Sequence, residues 1–257
     1  MQIVDPAVVS DIIRHTAQDV ILPRWCNLSC EQVREKNPGD LVTIADTEAE
    51  RILSDRLTQL LPGSQVVGEE AVAADETILS RLERPGAVWV LDPVDGTANF
   101  ANGRPAFCVI VALVLDGVTV QGWIHDPLPD RTTWAVLGQG TWRNGHRLTI
   151  ADDTPFADMA GSVGMRKNEK LSHAVSSMIR QGSAGHDYLA LTEGRIQFAA
   201  FRRLRPWDHA AGVLLHAEAG GYGALLDGSP YRPVYNSEAT LLMAPSRLCW
   251  DNLAAFF

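Results

Sequence analysis

The chain has 257 residues, 46% of them hydrophobic, with a formal net charge of -9 and an isoelectric point near 5.2. That length and apolar content can bury a large core, as one domain or as two tightly joined halves. The acidic balance excludes nonspecific nucleic-acid binding, which needs a basic face to neutralise phosphates, but not small anionic substrates, because metal ions invert the local charge.

Asp5-Pro6 opens a first helix, in which Val8, Val9, Ile12, Ile13, Val20 and Ile21 recur at helical spacing. Glu35 to Thr43 reads as a loop with a lone Lys36, which in isolation would be solvent-exposed. Asp46 follows in the first turn of a second helix, where the helix dipole stabilises a carboxylate. That helix carries Ile52, Leu53, Leu57 and Leu60 and stops at Pro62-Gly63. Gln65 to Val67 is a short strand that delivers Gly68-Glu69-Glu70, Asp75 to Leu82 a short helix, and Ala87 to Leu91 a buried strand.

This last run stops at Asp92-Pro93-Val94-Asp95-Gly96-Thr97, two carboxylates followed by a glycine and a hydroxyl. Two aspartates three residues apart at a strand end repel one another unless a cation sits between them, and a hard divalent ion answers that need. Pro93 stiffens the link and removes one N–H, which leaves the Val94 carbonyl able to turn inward as a further oxygen ligand. Gly96 permits a tight bend. A helix beginning near Thr97 would aim its free N–H groups and the positive end of its dipole at a phosphate.

Strand signals dominate the next stretch: Phe107 to Leu115, the turn Asp116-Gly117, Val118 to Ile124, then Thr132 to Leu137. Asp126-Pro127, Gly138-Gln139-Gly140 and Asn144-Gly145 are further turns. Trp89, Trp123, Trp134 and Trp142 are core or interface residues. From Ala151 the rhythm changes to a strand at Gly161 to Gly164, a helix over Glu169 to Arg180, and the small-residue turn Gly182-Ser183-Ala184 before His186. Trp207-Asp208-His209-Ala210-Ala211-Gly212 then leads a helix ending at Glu218-Ala219-Gly220-Gly221. Tyr222 to Leu226, Thr240 to Ala244 and a last helix from Ser246 complete the chain. Residues Met1 to Ser10 lack a basic region followed by an apolar core, and Phe107 to Leu115, the longest apolar stretch, is too short to span a bilayer. Cys26, Cys30, Cys108 and Cys249 lack the spacing of a zinc site and read as free thiols. A soluble cytoplasmic protein with no membrane partner is expected.

The run Asp92 to Thr97 matches without a gap a motif of the inositol monophosphatase family, the superfamily of fructose-1,6-bisphosphatase and the 3'-phosphoadenosine-phosphate phosphatases. Gly68-Glu69-Glu70, Gly182-Ser183-Ala184, Trp207 to Gly212 and Glu218 to Gly221 resemble the family's other landmarks, in its order. The resemblance implies a layered α-β-α-β-α sandwich of mixed α+β and α/β character. Residues 1–150 would form an N-terminal half carrying Gly-Glu-Glu and the Asp motif, and residues 151–257 a C-terminal half carrying Trp-Asp. The two would make one catalytic unit.

It further implies two or three Mg²⁺ ions, or Mn²⁺, held by Glu69, Asp92, the Val94 carbonyl, Asp95 and Asp208, with Glu70 as the alternative register for Glu69. Asp46 and Thr97 would orient a water and accept its proton, with Glu69 in the catalytic set. Lys36, Asp95, Gly96, Thr97, Ala184 and Asp208 would contact phosphate or substrate. His186 and His209 fall at packing positions. The expected partner is a small phosphorylated metabolite, the expected assembly a homodimer.

One departure concerns the substrate. Inositol-specific members place an acidic residue about seven positions before the ligand aspartate, and here that position is Phe201, followed by Arg202, Arg203 and Arg205. The arginines are either a solvated edge or dimer contact, or a grip on a second anionic group. The expected activity is metal-dependent hydrolysis of a phosphate monoester. A bisphosphate or histidinol-phosphate phosphatase stands as the alternative, and a phosphate-metabolite-binding regulator as the non-enzymatic one.

Overall fold

The computed structural model describes residues 4–37, 40–164 and 168–257. The carboxylate of Asp5 caps α1 (Pro6–Thr16) by accepting the Ala7 N–H at 2.9 Å. The helical path continues through a π-helical turn (Ala17–Ile21) and a 3-10 turn (Leu22–Arg24), so the apolar spacing persists past the end of regular α-helix. Where the sequence suggests a loop over Glu35 to Thr43, the chain instead pairs β1 (Val33–Asn37) with β2 (Asp40–Thr43); Pro38 and Gly39 lie outside the described residues. Thr43 and Asp46 form a capping box that starts α2 (Ile44–Leu60).

β3 (Gln65–Gly68) leads directly into α3 (Glu69–Ala74), and Asp75 to Leu82, expected as a helix, is a 3-10 segment, Glu76–Glu83. β4 (Ala87–Asp95) runs four residues beyond the expected Leu91, so both motif aspartates belong to the strand. α4 (Thr97–Ala101) is short, which limits its dipole. β5 (Cys108–Leu115), β6 (Val118–Asp126), β7 (Arg131–Val136), β8 (Gly140–Arg143) and β9 (His146–Leu148) follow as a meander. Its Asp116-Gly117 and Asn144-Gly145 turns hold positive φ at both residues, as tight hairpins require.

β10 (Ala160–Val163) precedes α5 (Glu169–Ala174). The helix expected over Glu169 to Arg180 stops six residues in, because Val175 turns extended and Ser177 to Ile179 become β11 (Ser177–Ile179), paired in parallel with β10. α6 (Ala184–Thr192), β12 (Phe198–Leu204), α7 (Pro206–Glu218), β13 (Tyr222–Leu225), β14 (Asn236–Ala244) and α8 (Arg247–Ala254) complete the order.

The strands form a seven-stranded sheet, β3-β4-β5-β6-β7-β8-β9, antiparallel except for β3 with β4, and a five-stranded sheet, β11-β10-β12-β14-β13. Side chains alternate between faces, so each strand feeds two cores. Trp89, Leu91, Val109, Val111 and Trp123 meet α1 and α2 through Val9, Ile13, Leu53 and Leu57. Val88, Val90, Ile110 and Ala112 face α6 and α7, whose other sides meet Ala199, Phe201, Leu241 and Met243 of the second sheet. Phe198, Ala200, Leu242 and Ala244 pack under α8. The result is the α-β-α-β-α layering, and coverage of both faces explains why the strands read as unbroken apolar runs. Trp134 and Trp142 stack half-buried on the seven-stranded sheet, 6.2 Å between rings. Among the described residues no helix is long and apolar enough to cross a membrane.

Close approach fixes α7 between these layers. A Cβ on Gly122 of β6 would lie 2.9 Å from Ala211 Cα, and one on Gly212 of α7 would lie 2.1 Å from the Tyr188 ring of α6. Further along α7, His216 is fully buried, neither ring nitrogen has a partner among the described residues, and burial lowers its pKa from 6.5 to about 3.

Folded His216 thus stays neutral while the unfolded chain takes a proton below pH 6.5, so this group subtracts stability as the pH falls from about 6.5 toward 3. At pH 5 the subtraction is ~2 kcal/mol. Denaturant unfolding at pH 7 and pH 5 should show His216→Leu losing ~2 kcal/mol less than the parent over that interval. Equal losses would contradict the linkage.

Candidate active site

Residues three apart on a regular strand point to opposite faces, yet Asp92 and Asp95 serve one site. The reason is a bulge: Asp92 pairs with Ile110 and Asp95 with Cys108, so three steps of β4 match two of β5. Asp208, in the first turn of α7, reaches the same point. Asp92, Asp95 and Asp208 each offer a carboxylate oxygen within 4.8 Å of the others. A cavity of about 180 Å³ joins them to Glu69, Val94, Gly96, Thr97 and Arg205. Glu69 lines it and Glu70 does not. Gly96 has φ +86, and a Cβ there would sit 2.7 Å from the Ala106 carbonyl oxygen, so the turn requires glycine.

The electrostatics are those of crowded, desolvated anions. Burial, then the charges of Glu69, Asp95 and Asp208, push the Asp92 carboxyl well above the usual range. Burial and then Asp95 and Glu69 do the same to Asp208, which Arg205 partly offsets. Asp95 is held differently: its carboxylate accepts from Ser183 Oγ, from the Gly185 N–H at 2.7 Å and from the Ala184 N–H at 3.2 Å, all at the start of α6. An all-oxygen donor set whose charges oppose one another, with Asp92 and Asp95 buried, fits a hard divalent cation such as Mg²⁺ or Mn²⁺.

Asp46 lies behind this cluster, fully buried. Its Oδ2 accepts from the Thr43 N–H at 2.9 Å and from the Thr43 hydroxyl, and its Oδ1 is 3.1 Å from Thr97 Oγ1. Thr97 Oγ1 is also 3.0 Å from the Val94 carbonyl oxygen, so the single hydroxyl proton serves one of the two. Burial raises the Asp46 pKa from 3.8 to about 7. Asp46 therefore belongs both to the capping box of α2 and to the contact with Thr97.

Lys36 Nζ donates to Glu69 Oε1 at 2.8 Å and Glu70 Oε1 at 2.9 Å, instead of pointing into the cavity of Gly96 and Thr97. Lys36 lines a neighbouring cavity of about 520 Å³, with Glu69 and Arg205 common to both. Glu50, which the sequence did not single out, accepts the Glu70 and Ala71 N–H groups, both at 2.8 Å, and so caps α3 from the side. A Cβ on Gly68 would fall 2.3 Å from the Glu50 carboxyl carbon, which explains the glycine before Glu69. Ala184 and the exposed Arg202 and Arg203 line a third cavity, beyond Asp208. His186 is buried with Nε2 3.1 Å from the Phe107 carbonyl, and His209 is buried against Tyr188, both as packing residues.

An acidic, oxygen-lined centre beside helices packed between two sheets is the arrangement of an α+β layered enzyme fold with a carboxylate cluster that could hold a hard cation. The particular relationship follows from comparison with known proteins. The profile of the inositol monophosphatase family matches residues 8–254. A fructose-1,6-bisphosphatase/inositol-1-monophosphatase of Thermotoga maritima is 31% identical over 73% of this chain and 73% of its own length. An inositol-1-monophosphatase of Mycobacterium bovis is 36% identical over 73% of this chain and 70% of its own. The solved structure of a Thermotoga maritima IMPase superposes with a TM-score of 0.84 at 25% identity, covering 97% of this chain and 95% of that one. The chain belongs to the inositol monophosphatase family, and it is a phosphoric monoester hydrolase.

The grip of α6 on Asp95 depends on Gly185, where a Cβ would lie 2.3 Å from the buried Cys108 Sγ and 3.2 Å from Asp95 Oδ2. Gly185→Ala should cost about 1–3 kcal/mol of stability by overpacking. Adding Cys108→Ala should restore part of it, so that the double variant is more stable than the sum of the single losses. Strict additivity in denaturant unfolding would contradict the close contact.

Proposed function

We propose that this phosphatase is Mg²⁺-dependent and hydrolyses the phosphate monoester of a small alcohol by direct attack of water on phosphorus. The observation that carries the reading is the meeting of Asp92, Asp95 and Asp208 within 4.8 Å, in one cavity with Glu69, Val94 and Thr97. Glu69, Asp92, the Val94 carbonyl, Asp95 and Asp208 would hold two or three Mg²⁺, with Mn²⁺ able to substitute. Such ions supply Lewis-acid stabilisation of phosphoryl and leaving oxygens and a water acidified toward neutral pKa.

The chain's own groups account for the rest. Thr97 Oγ1 orients the attacking water and relays its proton to Asp46 Oδ1, 3.1 Å away. The backbone at Gly96 and Thr97 lies beside the transferred group, and the bend at Gly96 brings it close. Asp208 faces both this cavity and the one that receives the alcohol. The products are the free alcohol and inorganic phosphate, with no covalent enzyme intermediate. Lys36 acts indirectly, by holding Glu69 and Glu70 in place.

Removing one of the crowded charges should separate activity from stability. Asp92→Asn should lower phosphate release with Mg²⁺ by ~10²–10³-fold, as loss of a principal electrostatic group does. In a chelator at pH 8 it should melt at or above the parent, because a buried repulsion is gone. Parental turnover, or a melting point well below the parent, would contradict the assignment. Asp46→Asn should lower kcat with little change in the Mg²⁺ concentration required; equal loss of both would count against its role as proton acceptor.

A further inference from the structure

Beyond Asp208 and Ala184 the third cavity, about 610 Å³, extends along α6 and the end of β12. Phe201 forms one wall, its ring stacked 4.9 Å from Tyr188 and tilted against His209. No carboxylate stands at that position to accept sugar hydroxyls. Three arginines line the same space: Arg180, Arg202 and Arg203. The arginine ion pairs among the described residues belong to Arg14, Arg24, Arg51, Arg143, Arg195, Arg205 and Arg247, so none of these three has a carboxylate within pairing distance there.

The other acidic group on the wall is already engaged: Asp187 accepts from Ser162 Oγ and from Gln181 Nε2, each at 2.9 Å. In a chain of net charge -9, three exposed guanidinium groups around one cavity, none of them in an ion pair among the described residues, concentrate positive charge there. The backbone contributes to it. Arg203 lies at φ +55, in the left-handed region, where the β12–β14 register skips from Arg202↔Thr240 to Leu204↔Asn236. The break in alternation lets two successive side chains line one cavity.

From this juxtaposition we infer that the cavity is a leaving-group subsite for an alcohol bearing a second anionic group, a phosphate or a carboxylate, in preference to a neutral polyol. The inference rests on the proposed hydrolysis at the acidic centre and specifies what lies on the far side of the scissile bond. Guanidinium forks match either anion by paired hydrogen bonds, while an apolar wall at Phe201 offers a hydroxyl-rich ring nothing to bond.

Two substrate pairs isolate the second charge: glycerol 2-phosphate against 2-phosphoglycerate, and fructose 1-phosphate against fructose 1,6-bisphosphate, each with Mg²⁺ and a chelator control. The expected result is a kcat/KM about tenfold or more higher for the doubly anionic member of at least one pair, which also tells carboxylate from phosphate. Arg202→Gln with Arg203→Gln should collapse that ratio toward one. Equal or better hydrolysis of both neutral-leaving-group esters, or an unchanged ratio in the double variant, would overturn the inference and leave the Mg²⁺-dependent reading standing. Hydrolysis of none of the four would overturn both.

Discussion

Mutual repulsion of desolvated carboxylates is the constraint around which this molecule is arranged. Asp92 and Asp95 from a bulged strand and Asp208 from a helix start converge on one cavity, with Glu69 close enough to raise the pKa of Asp92 and Asp208. Such a group of anions costs folding free energy and is tolerated only because the surrounding layers over-determine it. Under the proposed reading, divalent cations would relieve that repulsion.

The layers do this through contacts that leave no room for adjustment. β4 is the second strand of a seven-stranded sheet covered on both faces, so the bulge that aligns Asp92 and Asp95 cannot slip without exposing Trp89 or Val90. α7 is seated by Gly122 against Ala211 and by Gly212 against Tyr188, which sets where Asp208 falls. α6 offers its N-terminal N–H groups to Asp95, and Glu50 of α2 offers its carboxylate to the start of α3, beneath Glu69. Every acidic side chain in the cluster is therefore held by a backbone element anchored elsewhere in the core.

Much of this was readable from the residues alone, because the motif stretches combine chemistry with local backbone demands. Asp92 to Thr97 announces itself by two aspartates with a proline and a glycine, and Asp5-Pro6 by its helix-start chemistry; Asp46 is legible as a first-turn carboxylate, whereas its capping box with Thr43 emerges only in the fold. Less legible were features that depend on pairing at a distance. β11 has only three residues at a sheet edge, and nothing in Ser177-Met178-Ile179 outweighs the helical spacing before it. β1 carries Lys36 itself, and the polar run Arg34-Glu35-Lys36-Asn37 within this short β1–β2 pair reads as loop. Glu50 looks like one more charge on an acidic helix, and only the path of β3 into α3 brings two N–H groups to it. Lys36 as a clamp on Glu69 and Glu70, and the sidedness of Arg202 and Arg203, likewise follow from tertiary placement and a backbone outlier that no local pattern encodes.

The most direct test of the central claim is anomalous diffraction from crystals of the whole chain grown with Mn²⁺. Anomalous peaks coordinated by oxygens of Asp92, Asp95 and Asp208, with Glu69 and the Val94 carbonyl completing the shells, are what the account predicts. Manganese absent from that cavity at millimolar concentration, or bound only at surface carboxylates, would contradict it.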